Sequence, residues 1–394
     1  MSGGAVHAFA VALAIVVSFA ILALWSRAVL ELHYGGARVR RLADVDAATL
    51  PDPAPRVTVV IAARDEERHL ASAMRSVLAL DYPALEVIAV DDRSTDRTGT
   101  VLDQLATADP RLRVIHVRDL PAGWLGKTHA LHVAAQAAAG EWVLFTDADV
   151  FFAPDTLRRA LALAVHTPLD HLVLGPRTTG GTVVMRLLLG FFALGFALST
   201  RPWRAREADR SEHIGIGAFN LVRADVYRAV GGHSRIAMRP DDDIKLGKII
   251  KDAGYAQEML FGRGLMSVEW YPSLGALARG LEKNSLAGVD YSVAAMLAGT
   301  LAQLVFFVWP FAALAVTTGA ALALNAAACA VLLSTYVVTA HLVGAPRWYA
   351  MGFPVMAVIF VGILWRATFI TLHDGGITWR GTRYPLAALK ANRV

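Results

Sequence analysis

The chain has 394 residues, of which 55% are hydrophobic, and a formal net charge of +5. A mean hydropathy of +0.46 excludes one ordinary soluble domain and leaves room for a globular domain plus several membrane spans. The single cysteine, Cys329, excludes an intramolecular disulfide and makes a cysteine-based metal site improbable, while the modest basic excess, with no nucleic-acid motif, points to anionic lipid or a phosphorylated ligand.

Residues 5–24 are almost continuously apolar, interrupted only by His7 and Ser18 and followed by Trp25 and Arg27. No basic segment precedes the run, and Arg38, Arg40 and Arg41 follow it, so an uncleaved anchor over residues 1–30 is expected rather than a removed leader. A segment of ordinary composition, residues 56–291, then alternates short apolar runs with helical spacing. Strands are expected at 57–62, 87–90, 114–117, 142–146 and 172–174, and helices at 66–80, 98–105, 128–139 and 156–166. That order predicts an α/β fold with a mainly parallel sheet, whose ligands collect at the carboxyl ends of the strands.

The acidic residues fall at those ends. Asp91 and Asp92 follow the second strand and could accept hydrogen bonds from a base and ribose; a helix-capping turn explains Asp96 but not the doubled acid before it. Gly123 and Gly126 permit close backbone approach, and Lys127 could meet a phosphate near a helix start, although the spacing is not that of a P-loop. Asp147 and Asp149 end the fourth strand. Spaced by two on extended backbone they would project to one side and could share a divalent cation, the alternative being a solvated turn. The stretch 183–198 is apolar but short, and bounded by Arg186 and Arg201, which suits an interfacial helix or acceptor gate. Asp241, Asp242 and Asp243 precede a helix over 244–252, where they would at least favour its dipole.

From residue 292 to 372 the chain is apolar again, and three spans are expected at 293–316, 319–343 and 348–372. Their few polar groups, Asn325, His341 and Arg366, form no ion or proton relay. The tail, 373–394, carries Arg380, Arg383, Lys390 and Arg393. Its charge argues for the side of the globular domain, whereas three full spans would put it on the other, so its orientation stays open.

Taken together and in order, Val59 to Glu67, Val90 to Asp96, Gly126-Lys127, Thr146 to Asp149, Gly217 to Arg223, Gly231-Gly232-His233 and Asp242 to Leu246 resemble membrane-bound family 2 glycosyltransferases of GT-A fold. The flanking spans resemble carotenoid, hopanoid and ceramide-type lipid glycosyltransferases, and Trp379 to Tyr384 resembles a cytoplasmic tail motif of related enzymes. The resemblance implies a multi-pass inner (plasma) membrane protein with a cytoplasmic catalytic domain. It also implies an inverting hexosyltransferase that uses Mg²⁺ or Mn²⁺, a nucleotide-sugar donor (a UDP-sugar first) and a lipid or lipid-linked acceptor. Ala63, Asp91 and Asp92 would line the nucleoside, Lys127 the donor, and Asp147 with Asp149 the ribose and metal-diphosphate. Asp243, paired with Asp242, would be the general base. The Gln-x-x-Arg-Trp segment of polymerising synthases is missing; Arg279 and Lys283 stand in its place, as phosphate contacts or as a solvated helix face. A processive polysaccharide synthase, or a catalytically silent membrane protein retaining the fold, are the alternatives.

Overall fold

The computed structural model describes residues 3–342 and 346–394; the side chain of His341, and the residues that end the span expected at 319–343, lie outside the described set. The chain divides into two compact units. Residues 38–180, 200–270 and 371–394 form an α/β unit, and residues 1–37, 181–199 and 271–370 form a helical one.

Twelve strands belong to the α/β unit: β1 (Val57–Ala63), β2 (Leu85–Asp92), β3 (Leu112–Val117), β4 (Trp142–Asp147), β5 (Val150–Phe152), β6 (His171–Gly175), β7 (Arg177–Thr179), β8 (Asn220–Arg223), β9 (Gln257–Phe261), β10 (Met266–Glu269), β11 (Gly376–Trp379) and β12 (Thr382–Pro385). Seven of them make one sheet in the order β3-β2-β1-β4-β8-β6-β9, and β5-β10-β7 make a smaller one. The strands β3, β2, β1 and β4 are parallel, as their unbroken Val and Ile runs predict for a sheet covered on both faces. β8 is antiparallel to both neighbours, and its four residues carry no periodic signal that would have announced it. Helix Leu70–Leu78 buries Leu70, Ala73, Met74 and Val77, one stripe at helical spacing.

The strand order reverses at β1: the chain moves outward to β3 and then returns to the other side of β1 as β4. Ligands of open α/β sheets bind at such a switch point, outside the carboxyl ends. Register places Ala63 beside Asp91 and Ala62 beside Asp147, so the strand ends that carry the acids lie at one edge.

The helical unit holds Gly3–Gly36, Val183–Thr200, Val293–Gln303 continuing through Leu304–Val308 and Trp309–Val316, Gly319–Leu342 and Phe353–His373. Among the described residues five helices are long and apolar enough to cross a membrane, one near the N-terminus, three toward the C-terminus and the fifth beginning at Val183. Their packing follows lipid-phase rules, in which backbone polar groups must be satisfied internally. Pro310 has no N–H to offer the carbonyl of Phe306, and the indole of Trp25 donates to that oxygen at 2.8 Å. Asn325 donates to Ser18 at 2.8 Å, a polar clasp between the first helix and Gly319–Leu342. Helix Val183–Thr200 packs Phe191 against Phe307, Phe353 and Phe360.

Candidate active site

Three acid pairs converge at the carboxyl edge of the large sheet, and their neighbours determine their state. Asp91 Oδ2 lies 2.9 Å from His116 Nδ1, whose other nitrogen is 3.0 Å from Asp103. The Asp91 carboxylate is the main reason the His116 pKa is raised. Asp92 receives a bidentate pair from Arg93 at 2.7 and 2.9 Å. A glycine lies close against each acid. A methyl group on Gly99 would stand 2.7 Å from Asp91 Oδ2, and one on Gly126 would stand 2.3 Å from Asp92 Oδ2.

Lys127, in the first turn of helix Gly126–Ala137, ties the second and third pairs together, its Nζ 2.8 Å from Asp147 and 3.4 Å from Asp242. Burial pulls its pKa down, but the carboxylates of Asp147, Asp242 and Asp243 outweigh that and hold it above the ordinary lysine range. Asp243 opens helix Asp242–Asp252 and is gripped by two backbone donors at 2.8 Å, Gly217 N–H on one oxygen and Ile244 N–H on the other. Burial raises its pKa, with Lys127 opposing. Loop 214–217 is pressed onto this helix, and a methyl group on Gly215 would stand 1.8 Å from the Asp243 carbonyl oxygen. Behind the loop lies a buried chain of polar side chains. Gln257 accepts from Ile214 N–H at 2.7 Å and contacts His171 at 2.6 Å, and His171 in turn lies 3.1 Å from Asn220.

Strand β4 ends at Asp147, and Asp149 sits in the turn before β5. The same-side projection expected from an unbroken strand is therefore replaced by a turn. The two carboxylates are still neighbours: burial, then Asp147 and Glu66, push the Asp149 carboxyl up to about 7. Among the described residues no three metal-ligating side chains are gathered as a ready-made cage. The donor set nevertheless fits a hard cation that takes one or two carboxylates and completes its shell with phosphate and water, because Asp149 and Asp147 carry crowded negative charge that such an ion would relieve.

Comparison with known proteins bears on this edge of the sheet, because residues 58–231 match the family model described as Glycosyl transferase family 2. The matched segment, which runs from β1 through β8, is similar to family 2 glycosyltransferases. A beta-monoglucosyldiacylglycerol synthase from Synechocystis sp. is 38% identical over 118 residues, 29% of this chain and 24% of that protein. A 4,4'-diaponeurosporenoate glycosyltransferase from Staphylococcus haemolyticus is 22% identical over 234 residues, 55% of this chain and 56% of that one. The chain thus spans a quarter to about half of the length of these curated relatives. Among solved structures, the mannosyltransferase PcManGT from Pyrobaculum calidifontis, in complex with GDP-Man and Mn²⁺, is similar with a TM-score of 0.54 at 20% identity. The match covers 92% of this chain and 99% of that one, and it establishes the GT-A fold.

Within the matched segment and helix Asp242–Asp252, Asp91, Asp92, Lys127, Asp147, Asp149, Asp242 and Asp243 come to one edge of the sheet, and Ala63 is buried where β1 meets β2. Lys127, expected to face phosphate, pairs with Asp147 and Asp242. Arg279 and Lys283 belong to the helical unit. Several neighbours lie within the resembling segments without being singled out as site residues: Glu66, Arg64, Arg93 and the buried His233, whose Nδ1 lies 2.8 Å from Tyr227 Oη. Arg93 and Asp65 have positive φ, of 55° and 53°, which marks both as residues held in an unfavourable backbone state beside the acids.

Proposed function

We propose that the protein transfers a single sugar from a nucleotide-sugar donor to a lipid hydroxyl, with inversion at the anomeric carbon. The observation that carries this reading is Lys127, which bridges the pair that would hold a metal-diphosphate to the pair that would supply the base. Asp91 and Asp92 are assigned to the nucleoside, with Ala63 as its apolar floor. Asp149, with Asp147, would hold Mg²⁺ or Mn²⁺, which when bound supplies positive charge to the departing diphosphate. The crowding that raises Asp149 supports that assignment.

The remaining chemistry belongs to the chain. A lipid alcohol is a poor nucleophile until its proton is taken, and Asp243 is assigned as the acceptor of that proton. Its raised pKa suits the role, and the two N–H donors fix the direction of its carboxylate. Asp242 holds Lys127 in place, and Lys127 stays protonated beside the leaving group. In-line attack from the face opposite the diphosphate inverts the centre.

A lipid acceptor is supported by the five apolar helices and by relatives named for diacylglycerol and diaponeurosporenoate. Multi-pass residence in the bacterial inner membrane, with the α/β unit on the cytoplasmic side where nucleotide sugars are made, follows as part of the same proposal. The organisation is taken as an anchor at 1–30, a GT-A domain at 56–291, spans within 292–372 and a basic tail at 373–394. The test is a panel of nucleotide sugars presented to the purified full chain with Mn²⁺ and extracted membrane lipids. A glycolipid bearing one sugar is expected, abolished by a chelator and reduced at least a hundredfold in Asp243→Asn. Long polymer, or no turnover with any donor, would overturn the reading.

A further inference from the structure

Strands β11 and β12 form an antiparallel hairpin that pairs Trp379 with Thr382 and Ile377 with Tyr384. Its two-residue turn holds Arg380 at φ 49° and Gly381 at φ 75°, the left-handed pair that a tight hairpin turn requires. Glycine accepts that conformation without strain, whereas arginine does so only when its surroundings hold it. Arg380, Thr382 and Tyr384 follow one another at intervals of two, and each meets a different part of the acid-lined edge. Arg380 pairs with Glu66 and donates to the Asp65 carbonyl oxygen at 3.4 Å. Thr382 Oγ1 accepts from both Arg64 and Arg93 at 3.4 Å. Tyr384 Oη accepts the Gly126 N–H at 3.2 Å, one residue before Lys127. These contacts stand over the carboxyl ends of β1 and β2 and the start of the lysine-bearing helix. Asn392 fastens the end of the tail, accepting from Met238 N–H and donating to the Arg235 carbonyl oxygen, each at 2.9 Å.

Resting on the glycosyltransferase reading above, we propose that this hairpin is a wall of the nucleotide-sugar site and that Arg380 binds the donor's diphosphate. Arg380 pairs with Glu66 and Lys127 with Asp147, and Asp149 stands near both of these acids. A bound divalent ion satisfies the carboxylates and brings two phosphates, which a planar guanidinium grips with parallel N–H bonds. The Arg380 side chain is 43% exposed and reaches out from the turn to Glu66 and the Asp65 carbonyl, so it can exchange Glu66 for phosphate without moving the hairpin.

Calorimetry on the full chain in nanodiscs with Mn²⁺ tests this, using UDP, GDP, CDP, ADP and dTDP, each beside its nucleoside, on wild type, Arg380→Ala and Arg380→Lys. For the diphosphate that wild type binds, Arg380→Ala is expected to weaken binding about tenfold or more and the nucleoside less than twofold, with Arg380→Lys recovering part of the loss. Amide hydrogen exchange of residues 376–385 in wild type should slow when that diphosphate and Mn²⁺ are added, a readout that needs no variant to fold. Equal loss for diphosphate and nucleoside, or exchange unchanged by ligand, assigns the Arg380–Glu66 pair to folding alone and overturns the proposal. Wild type binding none of the five overturns the nucleotide-sugar reading, and this proposal with it.

Discussion

Gly215 and Gly217 are two residues apart in one loop, and a methyl group added to each meets different matter. At Gly217 it would stand 2.6 Å from Asp147 Oδ2, the end of a side chain that can turn away. At Gly215 it would overlap the Asp243 carbonyl oxygen, which is backbone in the first turn of a helix and has nowhere to go. Gly217→Ala is therefore expected to keep the wild-type melting temperature while Mn²⁺-dependent nucleotide binding falls at least fivefold. Gly215→Ala is expected to lose about 1–3 kcal/mol of stability. Differential scanning calorimetry and nucleotide titration on the two variants separate them; equal melting temperatures would show that the loop is looser than this packing requires. Lys127→Met belongs to the same scale. It removes the cation between Asp147 and Asp242 while keeping the stem, so about 2 kcal/mol of stability should be lost at neutral pH. The loss should shrink as acidic pH protonates the two carboxylates, and a pH-independent difference in melting temperature would contradict it.

At the scale of elements, the buried chain Gln257–His171–Asn220 links β9, β6 and β8 behind the loop that grips Asp243. His171 is wholly buried, and desolvation lowers its pKa to about 4, with Asn220 opposing; His233 is lowered to about 3 by burial and by Lys127. Both are neutral in the fold and would be protonated first in the unfolded chain, whose ordinary value is about 6.5. Between those limits the unfolded state binds more protons, so stability rises with pH from about 4 to 6.5 and falls as the pH is lowered through that window. Thermal melts at pH 7 and pH 5 should show the lower melting temperature at pH 5, with a smaller difference in His171→Gln, where one of the two titrating groups is gone. An unchanged difference would remove His171 from the account.

Much of this unit is legible in the chain because the parallel strands β1, β2 and β4 are almost wholly buried and its helices carry one apolar stripe. Helix Thr156–His166 falls on its expected bounds, and β1 extends only one residue beyond the expected strand. What is not legible has local causes. β5, β7 and β8 have three or four residues each, too short for any period to register. The helix expected from residue 66 starts at Leu70, because residues 65–67 are held by Ser94, Thr98 and Asp96 across the site, a tertiary bond set that overrides helical spacing. The acids were readable as pairs at strand ends. Their cationic neighbours Arg93 and Arg380 were not, because each reaches the site through a left-handed backbone turn that neither composition nor periodicity encodes.

For the whole molecule, connectivity constrains how the chain can traverse a bilayer. The chain leaves the α/β unit after residue 180 and is back in it at residue 200, with β7 before the excursion and β8 after it in sheets of that unit. One full crossing by Val183–Thr200 would put those strands on opposite sides of the membrane, so if the chain spans a bilayer this helix is expected to lie at the interface. The same argument applies to residues 271–370, since the tail returns to pair Tyr384 with Gly126 and Asn392 with Met238. If the chain spans a bilayer, an even number of the three apolar helices there is expected to cross completely, with the basic tail on the side of the acid pairs. That expectation agrees with the charge of the tail. The chain is well suited to a direct test because Cys329 is its one cysteine. In a Cys329→Ala background, single cysteines at the exposed positions Glu67 and Lys390 should react with a membrane-impermeant maleimide from the same side of sealed vesicles. Labelling from opposite sides would require the tail to leave the α/β unit in the membrane, and would take Arg380, Thr382 and Tyr384 away from the edge where the acid pairs meet.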